Sequence, residues 1–174
     1  MTVIPLQVKN VGEFASAPIS GSRVTVPEFT SVLRCVTQQA RQAGLGYAGN
    51  ISPDDAWKLF LGGHAHLIDV RTIEERKFIG YVPNTLHLTW PVGPAVAETS
   101  GFIKELQKIL PNNAVILFLC RSGKRSVAAA TAATLAGFTQ VFSVSEGVDG
   151  DLNHEQDESQ LSGWRQRGLP WFRN

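Results

Sequence analysis

The chain predicts an α/β fold with a mainly parallel central sheet, helices on both of its faces, and an N-terminal extension containing one helix. Three observations lead there. Short apolar runs alternate with stretches of helical spacing along most of the sequence. The run Val115-Ile116-Leu117-Phe118-Leu119 is continuously apolar, as a strand covered on both faces must be. An alanine-rich segment, 127–136, follows almost at once and stops at Gly137, which reads as a helix with a glycine terminus.

Taken in order, residues 1 to about 27 hold Pro5, Pro18, Pro27, Gly12, Gly21 and several serines, and read as an extended arm. Over 28–43 the residues Phe29, Val32, Leu33, Val36 and Ala40 fall at helical spacing, and Gly44-Leu45-Gly46 ends that helix. Cys35 lies beside this stripe and reads as a small helix residue. Ser52-Pro53-Asp54-Asp55 is a helix start: a capping serine, proline in the first position, and acids that complement the dipole. Trp57, Leu59, Phe60 and Leu61 supply the apolar side of this helix, and Gly62-Gly63 ends it.

Residues 67–70 read as a short buried strand, followed by a helical turn carrying Glu74, Glu75, Arg76 and Lys77. Residues 85–88 are a second short strand candidate. Over 98–110, Phe102, Ile103, Leu106, Ile109 and Leu110 are spaced for a helix that Pro111 stops. Residues 140–144 make a last strand, and the tail holds Trp164, Leu169, Pro170, Trp171 and Phe172. The expected organisation is an arm plus helix over 1–45 and one domain over 46–174.

The bulk numbers exclude several classes. A chain of 174 residues with net charge +1 has no global field to draw it to nucleic acid or to anionic lipid. No run approaches the ~20 apolar residues of a membrane span, and residues 1–10 lack the pattern of a secretory signal. Two cysteines, Cys35 and Cys120, make no disulfide framework, and a free reactive thiol suits a reducing compartment. The expectation is a cytoplasmic protein with neither nucleic-acid nor membrane partners.

The chemistry concentrates in Cys120-Arg121-Ser122-Gly123-Lys124-Arg125-Ser126. The cysteine ends a strand, in a short loop feeding a helix. Unpaired backbone N–H groups and the positive end of the helix dipole make such a loop an anion site. Arg121, Lys124 and Arg125 add to the field, which favours a thiolate. The competing reading is a buried cysteine with solvated basic neighbours. Two arginines and a lysine in the next five positions favour the reactive one. Ser126 reads as the cap of the following helix. His64, His66, His87 and His154 lack the convergent partners of a metal site. Asp149, Asp151, Glu155, Asp157 and Glu158 read as a solvated acidic loop.

Several segments in one order resemble the rhodanese family of sulfurtransferases. Residues 51–57 are similar to its opening helix, and Leu67-Ile68-Asp69-Val70-Arg71 with Glu74-Glu75 to its Asp-Val-Arg segment. Gly80-Tyr81-Val82-Pro83-Asn84-Thr85 resembles Gly-His-Ile-Pro-Gly-Ala, with Tyr81 in place of histidine and Asn84 in place of glycine. One extra residue precedes Gly80. The 120–126 loop resembles the family's active-site loop, and Gly163-Trp164 and Gly168-Leu169-Pro170 its closing segment. The likeness spans roughly residues 50 to 172.

The resemblance implies a two-step covalent reaction. Cys120 takes a sulfur from a small anionic donor such as thiosulfate, becomes a persulfide, and yields the sulfur to a thiol or protein acceptor, or to cyanide in vitro. No metal or organic cofactor is required. Arg125 is the first choice for contact with the anion, with Arg121 and Lys124 behind it. Backbone N–H groups from Arg121 to Ser126, those of Ser122, Gly123 and Ser126 among them, would surround the reacting sulfur. Asp69 and Arg71 support the site, either as an ion pair tying strand to helix or with Asp69 accepting hydrogen bonds near the active loop and Arg71 pairing with Glu75. Trp90 either lines the pocket mouth or packs in the core. Two alternatives remain: a phosphatase or arsenate reductase on the same fold, and a persulfide carrier or interaction module with little turnover. Phosphatases of this fold carry five residues between cysteine and arginine, whereas Cys120 and Arg125 are separated by four. Leu119 also stands where those phosphatases have histidine.

Overall fold

Five strands form the centre of the molecule in the computed structural model, which describes residues 26–91, 96–150 and 163–173. They are β1 (Gly49–Ile51), β2 (His66–Asp69), β3 (Leu86–His87), β4 (Val115–Leu119) and β5 (Gln140–Val144). Their order is β1-β5-β4-β2-β3, and every pairing is parallel. The helices are α1 (Val26–Gln42), α2 (Pro53–Leu61), α3 (Ile73–Ile79), α4 (Val96–Ile109), α5 (Lys124–Leu135) and α6 (Gly163–Gln166).

The apolar run of β4 is explained by its central place. Ile116 and Phe118 pack with Phe102 and Leu106 of α4 and with Ala129, Ala130 and Ala133 of α5. Leu117 and Leu119 point to the other face, among Leu33 of α1, Ala56 and Leu59 of α2, and Trp164 of α6. Side chains alternate across a strand, so a strand with helices on both sides needs apolar residues at every position.

Local signals set most boundaries. Ser52 Oγ accepts the Asp55 N–H at 3.1 Å, with Pro53 in the first helical position. In α3 a full capping box forms: Glu75 N–H donates to Thr72 Oγ1, and Thr72 N–H donates to Glu75 Oε2.

Two features differ from expectation. β1 was not expected, because Gly49-Asn50-Ile51 is too short to show a period; its partner, β5, makes it a strand. α5 starts at Lys124, with Gly123 as N-cap at φ 89° and no side-chain cap. Ser126 is therefore not the cap but sits inside the first turn. The arm expected before residue 28 falls almost wholly outside the described residues.

The sheet puts β2 beside β4, with Asp69 opposite Leu119. The carboxyl ends of the two strands thus finish together. Open parallel sheets bind ligands beyond these ends, and Cys120 and Arg71 both lie there.

Candidate active site

Cys120 is buried, and its Sγ lies against the start of α5. The Gly123 N–H donates to Sγ at 3.1 Å and the Ser126 N–H at 3.4 Å. Ser126 Oγ is 3.5 Å from the same sulfur. The loop's outer side is tied elsewhere: Val148 N–H donates to Cys120 O and Asp149 N–H to Arg121 O. With these carbonyls held by residues 148–149, the following amides turn inward. Gly147 makes that approach possible. It sits at φ 62°, and a Cβ there would lie 2.5 Å from both Cys120 O and Arg121 O. Gly123, also at positive φ, turns the chain into α5.

The three loop cations have different surroundings. Arg125 makes a two-pronged pair with Glu75 of α3, with both N–O distances 2.6 Å. The Arg125 hydrogen bond is the main reason the Glu75 carboxyl is held down at about 2. Glu75 in turn raises the Arg125 guanidinium above its ordinary value against the opposing effect of burial, with Cys120 contributing further. Arg121 Nε pairs with Asp149 Oδ2 at 3.1 Å. Lys124 is exposed and has no ion pair or hydrogen bond among the described residues. Arg125 is thus the most committed of the three, although the sequence ranked it first for anion contact. Ser122 lies half-buried in the loop between them.

Asp69 and Arg71 are fully buried and paired with each other, so Arg71 does not reach Glu75. Asp69 accepts from Arg71 N, Nε and Nη2, and Arg76 Nη1 of α3 approaches it at 3.3 Å, which ties β2 to α3. Arg71 Nη2 also donates to Gly80 O. Its Nη1 has no hydrogen-bond partner among the described residues, while the guanidinium carbon lies 5.1 Å from the centroid of the Trp171 ring. The closing segment crosses here: Tyr81 and Phe172 exchange backbone hydrogen bonds, and Trp171 Nε1–H donates to Ile79 O. Trp90 is half-buried and packs edge-on against Phe102 at the edge of the core.

His64 stacks on Phe29, and His87 Nε2 lies 2.8 Å from Arg71 O. Among the described residues no group of three histidine, cysteine or acidic side chains is gathered around one point. His154 and the acidic positions from Asp151 to Glu158 lie outside the described residues. Asp149 departs from the solvated reading: it is half-buried and pairs with both Arg121 and Arg165. Two site residues escaped the sequence reading. Glu75 pairs with Arg125, a contact fifty positions long that no local pattern shows, and Ser143 of β5 meets Ser126. A serine inside the apolar strand 140–144 was the available signal.

The family model described as "Rhodanese-like domain" matches residues 52–154. A protein of Rickettsia rickettsii, "Uncharacterized protein RP600 homolog", is 32% identical over 129 residues, 70% of this chain and 95% of its own length. The crystal structure of Rv0390 from M. tuberculosis is 36% identical, covers 74% of this chain and 99% of that one, and has a TM-score of 0.58. The polysulfide-sulfur transferase homodimer of Wolinella succinogenes shares the fold at 20% identity and a TM-score of 0.50, over 85% of this chain and 92% of that one.

Proposed function

This chain belongs to the rhodanese-like domain family, and on that premise we propose that it is a sulfurtransferase working through a Cys120 persulfide. The observation that carries the reading is the sulfur of Cys120 accepting the Gly123 and Ser126 amides at the end of β4. Those donors can stabilise negative charge on sulfur without reorganising. The Cys120 thiolate attacks the outer sulfur of thiosulfate or a related sulfane donor. A new S–S bond forms as the old one breaks, and sulfite leaves with the electron pair. The acceptor then attacks the outer sulfur of the persulfide, and Cys120 departs as thiolate. No step calls for a metal or an organic cofactor.

Lys124 is the cation best placed to meet an incoming anion, because Arg125 and Arg121 already hold carboxylates. Arg125 acts from behind, supporting the negative sulfur and holding α3 to the loop. The acceptor is a thiol or a protein, and a reducing, cytoplasmic setting suits the free thiol. Among the described residues no helix is long and apolar enough to cross a membrane.

The test is intact mass of the reduced protein after incubation with thiosulfate, then thiocyanate release on adding cyanide, with Cys120→Ser alongside. Polysulfide, the donor named for the Wolinella protein, is the second donor, and a phosphoester and arsenate are the controls. Gain of one sulfur atom, lost to cyanide and absent in the variant, is the expected result. No added sulfur from either donor, or turnover of phosphoester or arsenate, overturns the reading.

A further inference from the structure

Ser143 lies in β5, between β1 and β4. Alternation puts it on the face of Val141, which packs among Phe118, Cys120, Ala129 and Ala130. It is 1% exposed, and a hydroxyl in such surroundings is costly unless it is hydrogen-bonded. Its partner is Ser126 Oγ, at 2.9 Å, and among the described residues it has no other. Ser126 Oγ has three neighbours: Ser143 Oγ, Gly123 O at 2.8 Å and Cys120 Sγ at 3.5 Å.

Each hydroxyl has one proton to give. If Ser126 donated to Ser143, the Ser143 proton would lack an acceptor, and neither Gly123 O nor Sγ would receive one from Ser126. If Ser143 donates to Ser126, both hydroxyl protons have acceptors, and Gly123 O keeps the Val127 N–H whichever way the Ser126 proton turns. The Ser126 proton is then free to serve Gly123 O or, by rotation about Cβ–Oγ, the sulfur. Accepting from Ser143 also polarises Ser126 and makes it the stronger donor.

We propose that Ser143 is a positioning residue for Cys120: it fixes the direction of a buried Ser143–Ser126–Cys120 hydrogen-bond chain that supplies a third donor to negative sulfur. Ser143 does not touch the substrate. The inference rests on Cys120 being the nucleophile, as in the proposed function, but not on which donor it meets. The charged groups around this centre are Arg125 with its partner Glu75 from α3, Arg121 with Asp149, Lys124, and Asp69 with Arg71 and Arg76. None of them shares a hydrogen bond with Ser143 among the described residues, so a change there leaves the ion pairs in place.

The experiment is the rate of iodoacetamide alkylation against pH, followed by mass, in a Cys35→Ser background because Cys35 is exposed. Ser143→Thr and Ser143→Val form a matched pair that differs only in the hydroxyl, and Ser143→Ala and Ser126→Ala complete the set. Loss of the hydroxyl is expected to move the profile to higher pH and to slow alkylation at pH 7 by about 3–10-fold, with Ser143→Thr restoring it. The plateau at high pH stays unchanged, which a merely structural defect would not achieve. In the Ser126→Ala background, removing the Ser143 hydroxyl is expected to add nothing, since the chain is already cut. An unmoved profile in Ser143→Val and Ser143→Ala, or an effect that persists without the Ser126 hydroxyl, overturns the proposal. Persulfide formation from thiosulfate is measured separately: a moved profile with no persulfide leaves the hydrogen-bond chain standing and removes the sulfur-transfer reading.

Discussion

Glu75→Gln tests the strongest electrostatic contact at the site. Glutamine keeps the size of the side chain and its capping-box role with Thr72, so the change removes chiefly the charge facing Arg125. Glu75 is held at about 2 against an ordinary value of 4.5. A difference of about 2.5 units at 1.36 kcal/mol each is about 3 kcal/mol. The side chains are 22% and 26% exposed, and solvent screening lowers the expected figure to about 2 kcal/mol. Because the folded value is depressed, this stability is fully present above about pH 4.5 and is lost as pH falls toward about 2. Urea unfolding of both proteins is the assay, at pH 7 and at the lowest pH where the wild type still folds. The expected result is a deficit of about 2 kcal/mol at pH 7 that shrinks steadily in acid. An equal deficit at both pH values would refute the electrostatic reasoning and assign the loss to packing or capping.

Three further outcomes follow from the same geometry. Lys124→Gln should raise KM for thiosulfate by roughly 3–10-fold in the thiocyanate assay, with urea stability unchanged within about 0.5 kcal/mol, because the side chain is exposed and unpaired among the described residues. Gly147→Ala should abolish persulfide formation and cost about 2–4 kcal/mol in urea unfolding, since its Cβ would meet Cys120 O and Arg121 O at 2.5 Å. Asp69→Ala should cost about 3–5 kcal/mol, read in the same way, by leaving the Arg71 guanidinium buried without its carboxylate.

What the sequence by itself determined was local. A continuous apolar run meant a strand covered on both faces, Ser52-Pro53 meant a helix start, and the segment after the apolar run meant a short loop carrying Cys120 from strand to helix. Each is written within a few neighbouring residues, where period, cap and dipole act. The tertiary structure decided the pairings. Arg125 chose Glu75, fifty positions away, while Arg71 took Asp69, two positions away, and those choices left Lys124 as the loop cation without a partner among the described residues. β1 became a strand only beside β5. Ser143 reached Ser126 only because β5 runs next to β4 and under the start of α5. Ion pairs and buried hydroxyl contacts depend on which groups share a low-dielectric space. That is settled by sheet order and side-chain direction rather than by the order of residues along the chain.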